Sequence, residues 1–304
     1  MSPVQTGAPP VEGAPSPTRS LKWRAIAAPV LRNKSALVAV GILAFFVFLA
    51  IFGQLLIADD PKAKVGDVFE PPSREFWLGT DGGGASMVDL LIAGARVSLL
   101  IGFCAAAISA IIGGTVGILS GYFGGRTDTV LMRTTDYFLV IPDVPLIIVI
   151  IGIIYWTFTA RLLRAQTKSI RERVYVQRAR ALGAGNSRLV VRHVLPQVTP
   201  LLVANTVLLI AYAIFAETFI TFLGLGDPST ISWGSLIENA FKDDAIINEA
   251  WWAVLPPGIC VMLVVLACTI IGQTMEDALN PRLRTGHLSV RRFRVLRPSE
   301  HRQP

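Results

Sequence analysis

Tyr175-Val-Gln-Arg-Ala-Arg-Ala-Leu-Gly-Ala-Gly-Asn-Ser-Arg-Leu-Val-Val-Arg-His-Val-Leu-Pro196 is a basic, glycine-punctuated, proline-terminated stretch lodged between strongly apolar runs. A segment this polar cannot lie in hydrocarbon, so the chain leaves the membrane here. Tyr175 to Leu182 reads as a short helix, and Gly183 permits a reversal that a β-carbon would resist. Asn186 or Ser187 is placed to cap a second helix and Pro196 to close it. The product is a compact helical knob suited to docking on a soluble partner. On charge alone the same stretch reads as a solvated basic loop between helices; the placing of Gly183 and Leu195-Pro196 favours the knob.

The surroundings of this stretch fix the class. Apolar residues make up 52% of the 304, only 16% are charged, and mean hydropathy is +0.56. A soluble domain of this size would not carry that mix, so the chain is an all-α integral membrane protein. Five apolar runs, at about Ala36–Ile57, Val97–Leu119, Tyr137–Ala160, Leu201–Leu223 and Trp251–Gln273, are each long enough to cross about 30 Å of hydrocarbon as a helix. Cys104, Cys260 and Cys268 all fall inside these runs as small hydrophobes, which implies neither a disulfide framework nor a metal site. His193, His287 and His301 are scattered, and no cofactor is expected.

Charge is segregated by segment. Residues 161–198 carry nine Lys or Arg against the single Glu172, and the tail from Thr274 carries seven Arg against three acids. Under the positive-inside rule both are cytoplasmic. Residues 58–96 hold seven acids against four bases, and residues 224–250 hold five acids against Lys242, as expected of the outer face. No module that reads nucleic acid accompanies the basic segments. The expected organisation is a largely disordered cytoplasmic segment at 1–35, a transmembrane domain at 36–273 with a cytoplasmic loop at 161–198, and a basic cytoplasmic tail at 274–304 lying against membrane lipid. The first apolar run is too long for a signal peptide and has no small-x-small cleavage site after it, so it reads as an uncleaved span.

The spacing around Gly183 resembles the EAA loop of ABC importer permeases, in which E-A-A is followed by three residues, Gly, nine residues and I-x-L-P. Ala179, Gly183, Leu195 and Pro196 match, whereas Gln177, Arg178 and His193 depart from the pattern. Leu78-Gly-Thr-Asp81, Gly94-Ala-Arg-Val-Ser98, Phe222-Leu-Gly-Leu-Gly226, Ser232-Trp-Gly234, Trp251-Trp252, Pro257-Gly258 and Asp277-Ala-Leu-Asn-Pro-Arg282 occur in the order seen in the dipeptide/oligopeptide/nickel subfamily. Where that subfamily reads G-R-D, this chain has Gly84-Ala85-Ser86. The resemblance, strongest to the C-type member of the permease pair, implies a type I ABC importer permease fold of six spans in a bacterial inner membrane. It implies a second permease subunit, two cytosolic ABC ATPases and an extracytoplasmic solute-binding protein that delivers dipeptides or oligopeptides. Gln177, Arg178, Ala179, Ala181, Leu182, Gly183, Ala184, His193, Leu195 and Pro196 would form the ATPase-coupling loop, with Ala179, Ala181, Gly183 and Ala184 giving close approach. No G-x-x-x-x-G-K-[ST] loop occurs, so the chain is a non-catalytic subunit and ATP hydrolysis falls to its partners.

Two ionisable residues lie within apolar runs, Asp143 in Ile141-Pro-Asp-Val-Pro145 and Glu217 in Phe215-Ala-Glu-Thr218. Burying either is costly, so each lines the solute pathway or bonds a neighbouring helix, with Asp143 also open to a position at the membrane surface. The alternative function, a self-sufficient secondary transporter or channel, calls for paired intramembrane charges or inverted repeats, and no convincing repeat occurs. One count does not close. Five crossings put residues 161–198 and the basic tail on the outer side, against the charge rule. Six restore both, but Tyr137–Ala160 has about 24 residues where a double crossing needs about 40. The doubled Leu146-Ile-Ile-Val-Ile-Ile-Gly-Ile-Ile154 reads as a join across about 20 missing residues; the other reading is a re-entrant segment at Asp143–Pro145 that leaves four spans.

Overall fold

The computed structural model describes residues 30–55, 57, 60–140 and 147–279, side chains of 139, 140 and 147–154 excepted. Asp143 and the outermost segments, 1–29 and 280–304, lie outside the described residues, and with them the expectations drawn for those stretches. The described chain is helical throughout, apart from turns and one isolated bridge between Thr80 and Ser86. The helices are α1 (Lys34–Phe52), α2 (Met87–Phe123), α3 (Gly125–Val140), α4 (Ile147–Arg171), α5 (Val174–Ala181), α6 (Asn186–Leu189), α7 (Leu195–Ile220), α8 (Trp233–Lys242) and α9 (Trp251–Leu279).

α1 is apolar on every side and leaves Phe45, Phe48 and Ile51 exposed, as a helix bathed in lipid does. Its N-terminal turn is capped by the Asn33 side chain, which accepts from Ser35 N–H at 3.1 Å. The same Asn33 reaches Thr274 near the end of α9, while Gly53, just past α1, sits against Ile92 near the start of α2. These contacts fix α1 as antiparallel to both α2 and α9.

α2 and α4 form the tightest seam of the bundle, and α2 brings glycines to it at every fourth position. Gly113, Gly117 and Gly121 lie against the backbone carbonyls of Trp156, Ala160 and Arg164, so close that a β-carbon at any of them would collide. Small residues four apart let two helix backbones approach in lipid, where packing rather than water exclusion drives association. The seam is sealed by a buried polar knot in which Ser109 and Thr159 share a hydrogen bond of 3.2 Å and Asn205 of α7 donates to Thr159 Oγ1 at 3.0 Å.

Residue numbers rise together along this seam, so α2 and α4 are parallel. α3 must therefore travel back between them, and its Phe138 packs edge-on against Trp156 of α4. That resolves the parity problem. The third apolar run is not one span: its ends belong to α3 and to α4, and these two helices enter and leave on the same side. Among the described residues four segments are long and apolar enough to cross a membrane, Lys34–Leu55, Met87–Phe123, Asn186–Leu225 and Trp251–Leu279. α4 runs unbroken from Ile147 to Arg171, so residues 150 and 151 are neighbours in one helix.

α7 opposes α2, with Leu202 at Gly114 and Ile214 at Gly102, and it opposes α9 through Ala204 and Leu208 at Gly272. One end of the bundle thus gathers the start of α1, residues 121–128, the segment 161–198 and the end of α9. The other gathers the segments 53–96 and 222–250. The basic stretch 161–198 lies at one end, and the two acidic stretches share the opposite one.

Candidate functional site

At the basic end, α5 stops in a paired-bond turn. Gly183 N–H donates to Arg180 O at 2.9 Å and Ala184 N–H to Ala179 O at 3.1 Å, with Gly183 at φ +84°. That left-handed conformation is open to glycine and costs other L residues about 1–2 kcal/mol. Nothing lies within 4 Å of where its β-carbon would be, so it is the backbone angle, not crowding, that calls for glycine.

Under the turn lies an apolar cluster. Val176, Leu189, Val194 and Val198 are fully buried against Ile118, Leu163 and Ile170, so the knob stands on α2, α4 and α7. Ala179 and Ala184 pack inward on this cluster. Of the four small residues expected to give close approach, only Ala181 and Gly183 face outward. Leu182 at the tip is 88% exposed, beside exposed Gln177, Arg178, Arg180 and Arg188. His193 is half-buried with its ring 6.3 Å from that of Tyr175, whose phenol burial pushes above its ordinary value.

Two readings of the stretch need correction. The second helix is not capped by Asn186 or Ser187: its N-cap is Gly185, and the Asn186 side chain instead accepts a 3.0 Å hydrogen bond from Tyr122 Oη. Nor does Pro196 close that helix. Residues Val190–Val194 form a π turn, with Leu195 N–H reaching Val190 O, and the chain passes straight on into α7. A proline has no N–H for the carbonyl four residues back and its ring crowds it; the wider turn removes the conflict.

A charged cluster missed in the sequence anchors the same end. Asp128, 8% exposed, accepts from Ser120 Oγ at 2.5 Å, from Arg164 Nη2 at 2.7 Å and Nε, and from Lys168 Nζ at 2.7 Å. It ties α2, α3 and α4 together. Arg164 and Lys168 share a helix face by their spacing of four, but nothing local assigns them an acid 36 or 40 residues away.

Several of the remaining motifs are structural knots at the acidic end. In Leu78-Gly-Thr-Asp81, Thr80 Oγ1 donates to Asp67 O at 2.6 Å and accepts from Glu70 N–H at 2.8 Å, while Thr80 O receives Trp252 Nε1–H at 3.1 Å. Ser232 and Ser235 form a reciprocal cap at the start of α8. Trp233 is buried, its N–H on Ser98 Oγ and its Nε1–H on Leu91 O, both at 3.1 Å. Glu217 lies beneath this junction, 1% exposed. It accepts from Thr221 Oγ1 at 3.2 Å and Thr218 Oγ1 at 3.4 Å, with the hydroxyls of Ser232 and Ser98 on the same carboxyl.

With this geometry in hand, the relatives are informative. Residues 113–285 match the family model described as the binding-protein-dependent transport system inner membrane component, and residues 22–72 match the N-terminal TM domain of oligopeptide transport permease C. The chain is 35% identical to a putative peptide transport system permease protein of Brucella abortus, over 272 positions covering 84% of this chain and 90% of the relative. It is 33% identical to the oligopeptide transport system permease protein OppC of Mycobacterium tuberculosis, covering 86% and 95%. It is 32% identical to the dipeptide transport system permease protein DppC of Alkalihalophilus pseudofirmus, covering 86% and 91%. In the first of these alignments 84% of 304 residues is about 255, so about 17 of its 272 positions face no residue of this chain. The chain belongs to the binding-protein-dependent inner-membrane component family, as a multi-pass, C-type permease subunit of the peptide ABC importer group in the bacterial inner membrane.

Proposed function

We propose that this chain is one of two permeases that together form the solute path of an ATP-driven importer of dipeptides or oligopeptides, and that it is driven by separate cytosolic ATPases. In this reading the basic end is cytoplasmic, and the α5–α6 knob sits in a cleft of one ATPase. The observation that carries it is the knob itself: an exposed Leu182 tip held out by the Gly183 turn, on a base shared by three long helices. Gln177, Arg178, Ala181, Leu182 and Gly183 make the contact surface. Ala179 and Ala184 shape it from within, and His193, Leu195 and Pro196 lead into α7. ATP-driven closure of the ATPase pair shifts the knob as a body, and the helices beneath it switch the path from inward- to outward-facing. An extracytoplasmic binding protein delivers peptide to the acidic end.

The buried setting of Glu217 supports an interhelix role, joining α7, α2 and the start of α8, over a place on the path. The test of the whole reading is affinity purification of the tagged chain from its native membrane. Two ATPase subunits and a second permease are expected with it, and ATP hydrolysis by the complex is expected to rise with peptide-loaded binding protein. Recovery of the chain alone, able to move peptide in vesicles without ATP, would instead establish a secondary transporter.

A further inference from the structure

We propose that Tyr122 is the positioning residue that carries movement of the knob into the transmembrane bundle. Tyr122 is the second-last residue of α2 and is 2% exposed, its ring set in the apolar cluster beneath the knob. Its hydroxyl donates to Asn186 Oδ1 at 3.0 Å and accepts from Arg180 Nη2 at 3.4 Å, and the Arg180 guanidinium stands 5.6 Å from the ring centre. Arg180 is the second-last residue of α5 and Asn186 the first of α6, so one side chain holds both flanks of the Gly183 turn. Any displacement of the turn is then a displacement of the end of α2.

From Tyr122 the route onward is rigid. α2 is locked to α4 by the glycine seam, and Asp128 joins α2, α3 and α4 one turn away. The covalent route from α6 into α7 is softer, because it passes through the π turn at Val190–Val194, the kind of site at which helices bend. Tyr122 therefore offers the stiff connection. This proposal rests on the docking of α5–α6 to an ATPase.

The experiment uses the assembled importer with the single variants Tyr122→Phe, Asn186→Leu and Asn186→Asp. Tyr122→Phe keeps the ring in its cluster and removes only the hydroxyl. Asn186→Leu removes the acceptor from an exposed position, and Asn186→Asp preserves it. In Tyr122→Phe and Asn186→Leu, co-purification of the ATPases and unstimulated hydrolysis are expected to match the parent. Stimulation by peptide-loaded binding protein is expected to fall about tenfold, the scale of one lost hydrogen bond, and to persist in Asn186→Asp. Should Tyr122→Phe fail to accumulate in membranes, Asn186→Leu alone decides. Stimulation at the parental level in Asn186→Leu or Tyr122→Phe overturns the relay. Loss of the ATPases from the parent complex instead removes the docking reading beneath it.

Discussion

At the scale of single residues, the knob turns on Gly183. Its φ of +84° and its N–H bond to Arg180 O are both things that proline cannot supply, whereas alanine keeps the N–H and meets no neighbour. Gly183→Pro is expected to leave the protein in the membrane while co-purifying ATPase drops at least tenfold; Gly183→Ala is expected to retain most of it, losing about 1–2 kcal/mol in the turn. Equal ATPase recovery from parent and Gly183→Pro would show that the turn does not shape the contact. Asp128→Asn leaves Arg164 and Lys168 without their shared countercharge. Both bases are partly solvated, so the expected loss, read from unfolding midpoints in detergent, is about 1–3 kcal/mol rather than the full cost of an orphaned buried charge. Gly183 was legible in the sequence because a turn is a local event. The partners of Asn186 and Asp128 were not, because they lie 64 and 36 or 40 residues away.

Among the elements, the α2–α4 seam decides topology. Gly113, Gly117 and Gly121 stand four apart in the sequence, but that spacing does not say which backbone comes close or in what direction. The third apolar run spans two helices for a related reason: hydropathy has no sign for chain reversal, so the end of α3 and the beginning of α4 merge into a single stretch. Pro196 likewise reads as a stop because the local rule holds for an ordinary turn and not for a π turn. A β-carbon at Gly117 would fall 2.5 Å from Ala160 O, and a larger side chain must push the helices apart. Gly117→Ile is expected to destabilise the protein by about 1–3 kcal/mol in detergent unfolding. It should also weaken disulfide capture between cysteines placed at Ser109 and Thr159. Undiminished capture and an unchanged midpoint would show that the seam tolerates bulk.

On the scale of the whole molecule, the helix directions decide which segments share a side of the membrane. α3, with 16 residues, rises about 24 Å, short of the roughly 30 Å of a hydrocarbon core. Sidedness does not depend on the length of this hairpin, because α4 is held parallel to α2 by the glycine seam. In a background with Cys104, Cys260 and Cys268 replaced, Trp77→Cys and Leu182→Cys supply exposed reporters at opposite ends. A membrane-impermeant maleimide is expected to label Trp77→Cys only in right-side-out vesicles and Leu182→Cys only in inverted ones. A five-crossing chain would expose both reporters on the same side, and that result would remove both the topology and the docking role of the knob.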